Sequence, residues 1–124
     1  MPNSGPPWVT TVLAVVTITN IPSPVPGNST QFTTLQTVVP TAGTPVPLVT
    51  GDVPVGAGKK LTMIAKPGNT GVIYFANTEA QCVVGTRFDG LAAGLAHSFL
   101  IQNANEIWID ASVSGEGVSF YVET

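Results

Sequence analysis

The sequence predicts an all-β chain, a jelly-roll-like β-sandwich body preceded by an extended Pro/Thr-rich N-terminal arm. Three observations carry this. Short Val/Ile/Thr and aromatic runs recur at fairly even spacing, turn residues separate them, and charge and proline are divided between two parts of the chain. Residues 1–51 contain no Asp, Glu, Lys or Arg, so that the four basic and seven acidic residues all follow, starting at Asp52. Of the 11 prolines, only Pro67 lies beyond position 54. The expected division is an uncharged arm at 1–54 and a sandwich body at 55–124.

The arm is not composed like a disordered tail, which is usually polar and charged. It carries Trp8, Val12, Leu13, Val16, Ile18, Phe32, Leu35 and Val39, and left free it would be prone to aggregate. Its prolines forbid long helices, and Pro22-Ser23-Pro24-Val25-Pro26-Gly27 reads as an extended connector. Two runs remain as strands, 8–19 and 31–39. Ordering so much apolar chain costs more entropy than a small body can offset, so burial against neighbouring chains is expected. The run 8–18 has no Lys or Arg before it and is much shorter than the roughly 20 residues that span a bilayer, so it is not expected to act as a cleaved signal or membrane span.

In the body, Lys59 to Ala65 reads as a strand and Lys66-Pro67-Gly68-Asn69-Thr70-Gly71 as a turn. Val72 to Ala76 is apolar on both faces, as suits a strand in a sandwich core. A weaker strand is expected near Gln81 to Gly85, a Gly-rich loop at 90–94, and a strand at Ser98 to Gln102. After the turn Asn103-Ala104-Asn105, Glu106 to Ala111 alternates with Ile107 and Ile109 on one side. Gly117 to Glu123 sets Val118, Phe120 and Val122 on one face and Ser119, Tyr121 and Glu123 on the other. Residues 91–97 alone carry a trace of helical pattern. Seven or eight such strands indicate a sandwich or jelly roll.

Composition sets aside several classes of function. Four basic residues cannot neutralise many phosphates or hold an anionic membrane, so neither a nucleic-acid nor a membrane partner is expected. The single Cys82 offers no disulfide and no multi-Cys zinc site, and His97 has no Cys or His neighbour in sequence to share a metal. Both are expected in structural roles, although sequence alone leaves a Cys82–His97 dyad open. The carboxylates Asp52, Glu79, Asp89, Glu106, Asp110, Glu116 and Glu123 form no calcium-loop pattern, and a glycosidase pair is a matter of spatial separation. Gly51, Gly56 and Gly58 lack the Lys-Ser/Thr of a phosphate loop, and Asn28-Ser29-Thr30 is read as a chance glycosylation match. No catalytic residue, metal or cofactor is assigned, and the chain is not expected to be an enzyme.

Trp108 and Tyr121 fall opposite the expected core stripe of their strands. Such residues bury in a second sheet or an interface, or they stack on sugars. The stretch from Leu61 to Glu123 resembles the small β-sandwich modules of tailed-bacteriophage virion proteins, capsid decoration (cement) proteins above all. The resemblance rests on Asn69-Thr70-Gly71-Val72-Ile73-Tyr74-Phe75, then Phe88 and Gly90-Leu91, then Gly94, Ser98-Phe99 and Asn103. It continues through Asn105-Glu106-Ile107-Trp108-Ile109 and the closing Ser114-Gly115-Glu116-Gly117-Val118. These are mostly turns and core positions of one architecture, and the uncharged arm departs from the pattern.

The resemblance implies a jelly roll that forms trimers on the outer surface of a virion, tying neighbouring capsomers together. Its partners would be the major capsid protein and further copies of itself. Independently, a β body without a catalytic constellation, joined to an apolar uncharged arm, is built to assemble. Trp8, Leu13, Phe32 and Leu35 are the arm residues expected to anchor on a partner by strand addition and apolar docking. Two alternatives stand beside this: a carbohydrate-binding module of a virion fibre or tip, using Trp108 or Tyr121, and a hydrolase whose carboxylates the fold gathers.

Overall fold

Period-two burial sorts the strands onto a shared core. The computed structural model describes residues 31–124. In chain order the strands are β1 (Phe32–Val38), β2 (Val46–Pro47), β3 (Leu61–Ala65), β4 (Val72–Ala76), β5 (Phe88–Ala92), β6 (Ala96–Phe99), β7 (Trp108–Ala111) and β8 (Gly117–Glu123). They form two four-stranded antiparallel sheets, β1-β8-β3-β6 and β2-β7-β4-β5.

The pairing is nested: β1 with β8, β2 with β7, β3 with β6, β4 with β5. An eight-stranded hairpin rolled into two layers has this order, and the further pairs β3–β8 and β4–β7 close each layer. The chain is therefore a jelly-roll β-sandwich. Leu61, Met63 and Ala65 of β3, Val118, Phe120 and Val122 of β8, and Ile73, Ile109 and Ala111 of the facing sheet supply the buried core. Their alternation with outward residues is what fixes strand register. At Gly117 the chains of β1 and β8 approach so closely that a Cβ would overlap the Thr37 carbonyl oxygen.

Several expectations change. The division at residue 54 is displaced, because β1 and β2 each belong to a sheet and Val39 and Leu48 are fully buried in the shared core. The strand expected at 31–39 is present as β1, but as a member of the sandwich rather than part of a separate arm. The strand expected at 8–19 lies outside the described residues. Residues 81–85 form turns instead of a strand, because Cys82 N–H bonds back to the Thr78 and Glu79 carbonyls. The loop expected at 90–94 is partly β5: Gly90 takes φ 107°, and the ladder with β4 shifts register between Ile73 and Phe75. No helix forms at 91–97. The two-residue β2 was not legible, since Pro47 is tolerated only because the strand sits at a sheet edge.

Candidate docking surface

The two sheets treat their outer faces differently. On β2-β7-β4-β5, Asp110 and Trp108 of β7 and Tyr74 and Ala76 of β4 point away from the core. The β4–β5 connection folds back over this face. Its Arg87 guanidinium stacks on the Tyr74 ring at 3.4 Å and bridges Asp110 and Asp89, each at 3.2 Å. Asp110 is 1% exposed, yet its carboxylate also accepts the Gly43 and Ala111 N–H groups at 2.9 and 2.8 Å. A buried charge with this many partners is satisfied, and losing one of them is costly. Cys82, in the same connection, donates its S–H to the Trp108 carbonyl at 3.6 Å. Burial, reinforced by Asp110, pushes its pKa up to about 11, so the thiol is unreactive at neutral pH.

The outer face of β1-β8-β3-β6 has no such cover within residues 31–124. Across its middle stand Thr34 and Gln36 of β1, Ser119 and Tyr121 of β8, Thr62 and Ile64 of β3, and Ala96 of β6, with Glu123 at the end of β8 on the same face. Those across the middle line an open groove of about 450 Å3 that crosses the whole sheet, and none of them is charged. Thr62 and Ser98 hydroxyls pair at 2.8 Å, and the groove keeps a mainly apolar lining with the polar groups of Thr34, Gln36 and Ser119 among it. At its rim Phe32, 65% exposed, packs edge-on to Tyr121 with ring centroids 5.7 Å apart. A face of this composition is poorly solvated and suits a partner offering apolar, uncharged surface.

A second apolar region lies where the edge strands β5 and β6 flank the open side of the sandwich. Phe75, Phe88, His97 and Phe99 stack there with centroid separations of 4.6 to 6.2 Å. Phe88, Leu95 and Leu100 are 50%, 54% and 74% exposed.

The site residues expected from sequence therefore separate. Trp8 and Leu13 lie outside the described residues. Phe32 stands exposed on the outer face beside Tyr121. Leu35 is half-buried and packs against the core, and it also borders the groove. Tyr121 borders the groove, whereas Trp108, although outward, is half-buried on the covered sheet. Cys82 and His97 are engaged in separate contacts, and no hydrogen bond joins them. Among the described residues no group of three or more His, Cys, Asp or Glu is placed to hold a metal. No carboxylate lines the groove. What sequence reasoning missed is Arg87: the pattern of β4 shows two apolar faces, but nothing shows that a cation 11 residues beyond it would close one of them.

No protein-family model matches the chain, and neither a curated protein nor a solved structure is similar to it at a significant level.

Proposed function

We propose that the chain is a structural protein of a bacteriophage virion that binds the outer surface of the capsid and cements neighbouring capsomers, acting as a homotrimer. The observation that carries this reading is the uncharged groove across β1-β8-β3-β6, set against a second sheet that covers its own outer face. A closed threefold ring needs two unlike patches that fit each other. The groove is one, and the exposed rim around Phe88, Leu95 and Leu100 is the other. The resemblance of residues 61–123 to capsid decoration proteins supports the same reading, and so does the uncharged arm. In this scheme Trp8, Leu13 and Phe32 contact the major capsid protein.

The test is cosedimentation with phage heads stripped of their accessory proteins. Removal of residues 1–30, which keeps β1, should lower head occupancy at least tenfold, and Ile64→Glu should lower it by breaking the trimer. Undiminished occupancy by both variants would sink the proposal.

A second reading is favoured by one observation. Tyr121 lies in a groove whose other side chains include Gln36, Thr34 and Ser119, a set that can stack on and hydrogen-bond a sugar. A carbohydrate-binding module of a virion fibre or tip would bind a glycan array and lose that binding in Tyr121→Ala.

A further inference from the structure

The connection between β4 and β5, residues 77–87, is built of turns and bends that bond to one another. Cys82 N–H donates to the Thr78 and Glu79 carbonyls at 3.1 and 3.0 Å, Gln81 N–H to the Thr78 hydroxyl at 3.2 Å, and the Thr86 and Arg87 N–H groups to the Val83 carbonyl, both at 3.1 Å. The Thr86 hydroxyl donates back to the Gln81 carbonyl at 2.7 Å. The shape of the connection is therefore set within itself. Side chains tie it to the sheet: Asn77 Nδ2 donates to the Glu106 carbonyl at 2.9 Å, Cys82 Sγ to that of Trp108, and Arg87 grips Tyr74 and Asp110.

The sheet beneath has its own support. β4 pairs with β7 from Ile73 opposite Ala111 through Ala76 opposite Trp108, and the core side chains Ile73, Ile109 and Ala111 lie on the far face. Ser112 N–H donates to the Val72 carbonyl at 3.0 Å and Leu48 N–H to that of Ile107 at 2.8 Å. These ladders and this core do not run through residues 77–87. Tyr74 and Asp110 stand opposite each other on the two strands, so Arg87 closes over a cross-strand pair.

Asp110 separates two arrangements. With the connection down, its buried carboxylate depends on the Arg87 cation, because a buried charge that loses its partner is strongly destabilising. With the connection lifted, water replaces the guanidinium while the Gly43 and Ala111 N–H groups stay bonded. Both arrangements satisfy the carboxylate, and closure over Asp110 without its cation does not. We infer that residues 77–87 are a lid that lifts as a unit from an intact sandwich, latched shut by Arg87 on Asp110 and baring Tyr74, Ala76 and Trp108 when it opens. Local opening of this kind takes less free energy than global unfolding. The inference concerns the chain by itself and does not rest on the capsid reading.

Cys82, buried in the closed lid, reports the opening. Its labelling by a maleimide in the native full-length chain is compared with hydrogen exchange of the Leu48 and Ser112 amides, whose bonds lie in the sheet, each measured against its rate in the urea-unfolded chain. The thiol should report an opening constant at least about tenfold larger than the two amides do. Arg87→Ala should speed the labelling at least about tenfold further, with the amides still opening less often than the thiol. In Arg87→Ala/Asp110→Asn a neutral amide replaces the buried charge, so labelling should slow again toward the unmodified rate. Equal opening constants for thiol and amides in the unmodified chain would mean that the lid parts only with the whole sandwich. Labelling as fast in the double variant as in Arg87→Ala would mean that the buried charge is not the latch. Either result would overturn the inference.

Discussion

The two outer faces of this sandwich come from four strands each and have opposite fates. On β2-β7-β4-β5 the chain spends a connection of about ten residues, an Arg and a buried Asp to cover one face of its own sheet. On β1-β8-β3-β6 it leaves a methyl-rich groove with no charge in it. A side chain on the first face is held by bonds within the chain, so its removal is felt in folding. A side chain on the second has few such bonds, so its removal is felt only when something docks.

The sharpest way to break this contrast is Arg87→Ala. It leaves the Asp110 carboxylate buried without its cation, for which a loss of about 3 kcal/mol in a urea titration is expected. A loss below about 1 kcal/mol would mean that the Gly43 and Ala111 N–H groups suffice and that the face is not locked by Arg87. Gly117→Ala comes next. The added methyl would press β8 away from Thr37 of β1, and a loss of about 1–3 kcal/mol is expected, read as a lowered Tm. The open sheet is thus sensitive through its backbone, not through its outer side chains. Gln36→Ala, in the groove, should change stability by no more than about 0.5 kcal/mol in the same titration. A larger loss would show that the groove is packed within the chain after all.

The smallest effect belongs to Glu116, whose carboxylate accepts from Thr70 N–H at 2.6 Å, Gly71 N–H at 2.9 Å and the Thr70 hydroxyl at 2.8 Å. The backbone N–H of Thr70, then that of Gly71, hold its pKa below the ordinary 4.5. A depressed carboxylate stabilises the fold above its unfolded pKa, and that contribution fades as pH falls through the folded value. Glu116→Gln should therefore lower Tm slightly at pH 7 and match the unmodified chain in strong acid. A difference that persists in acid would assign the effect to packing.

The jelly roll was legible because each core strand announces itself twice. β4 and β8 show continuous or alternating apolar residues, and turn residues such as Lys66-Pro67-Gly68 and Ser114-Gly115 bound them. The place where the sandwich begins was not legible. Charge and proline content change at Asp52, but β1 is held by backbone bonds to β8 and by burial of Leu35, neither of which depends on charge. β5 was obscured for a similar reason: Gly90 reads as a loop residue, and only pairing across a bulge makes it part of a strand. Of the candidate surface, the outward placement of Tyr121 could be read from alternation alone. That Trp108, equally outward, would be covered depends on the 77–87 connection folding back, a long-range event with no local mark.

Light scattering behind size exclusion on the full-length chain tests the central claim, that the uncovered face is an assembly surface, most directly. The account predicts the mass of three chains of 12.8 kDa, reduced to that of one by Ile64→Glu in the groove. A single-chain mass for the unmodified protein at every concentration would contradict it.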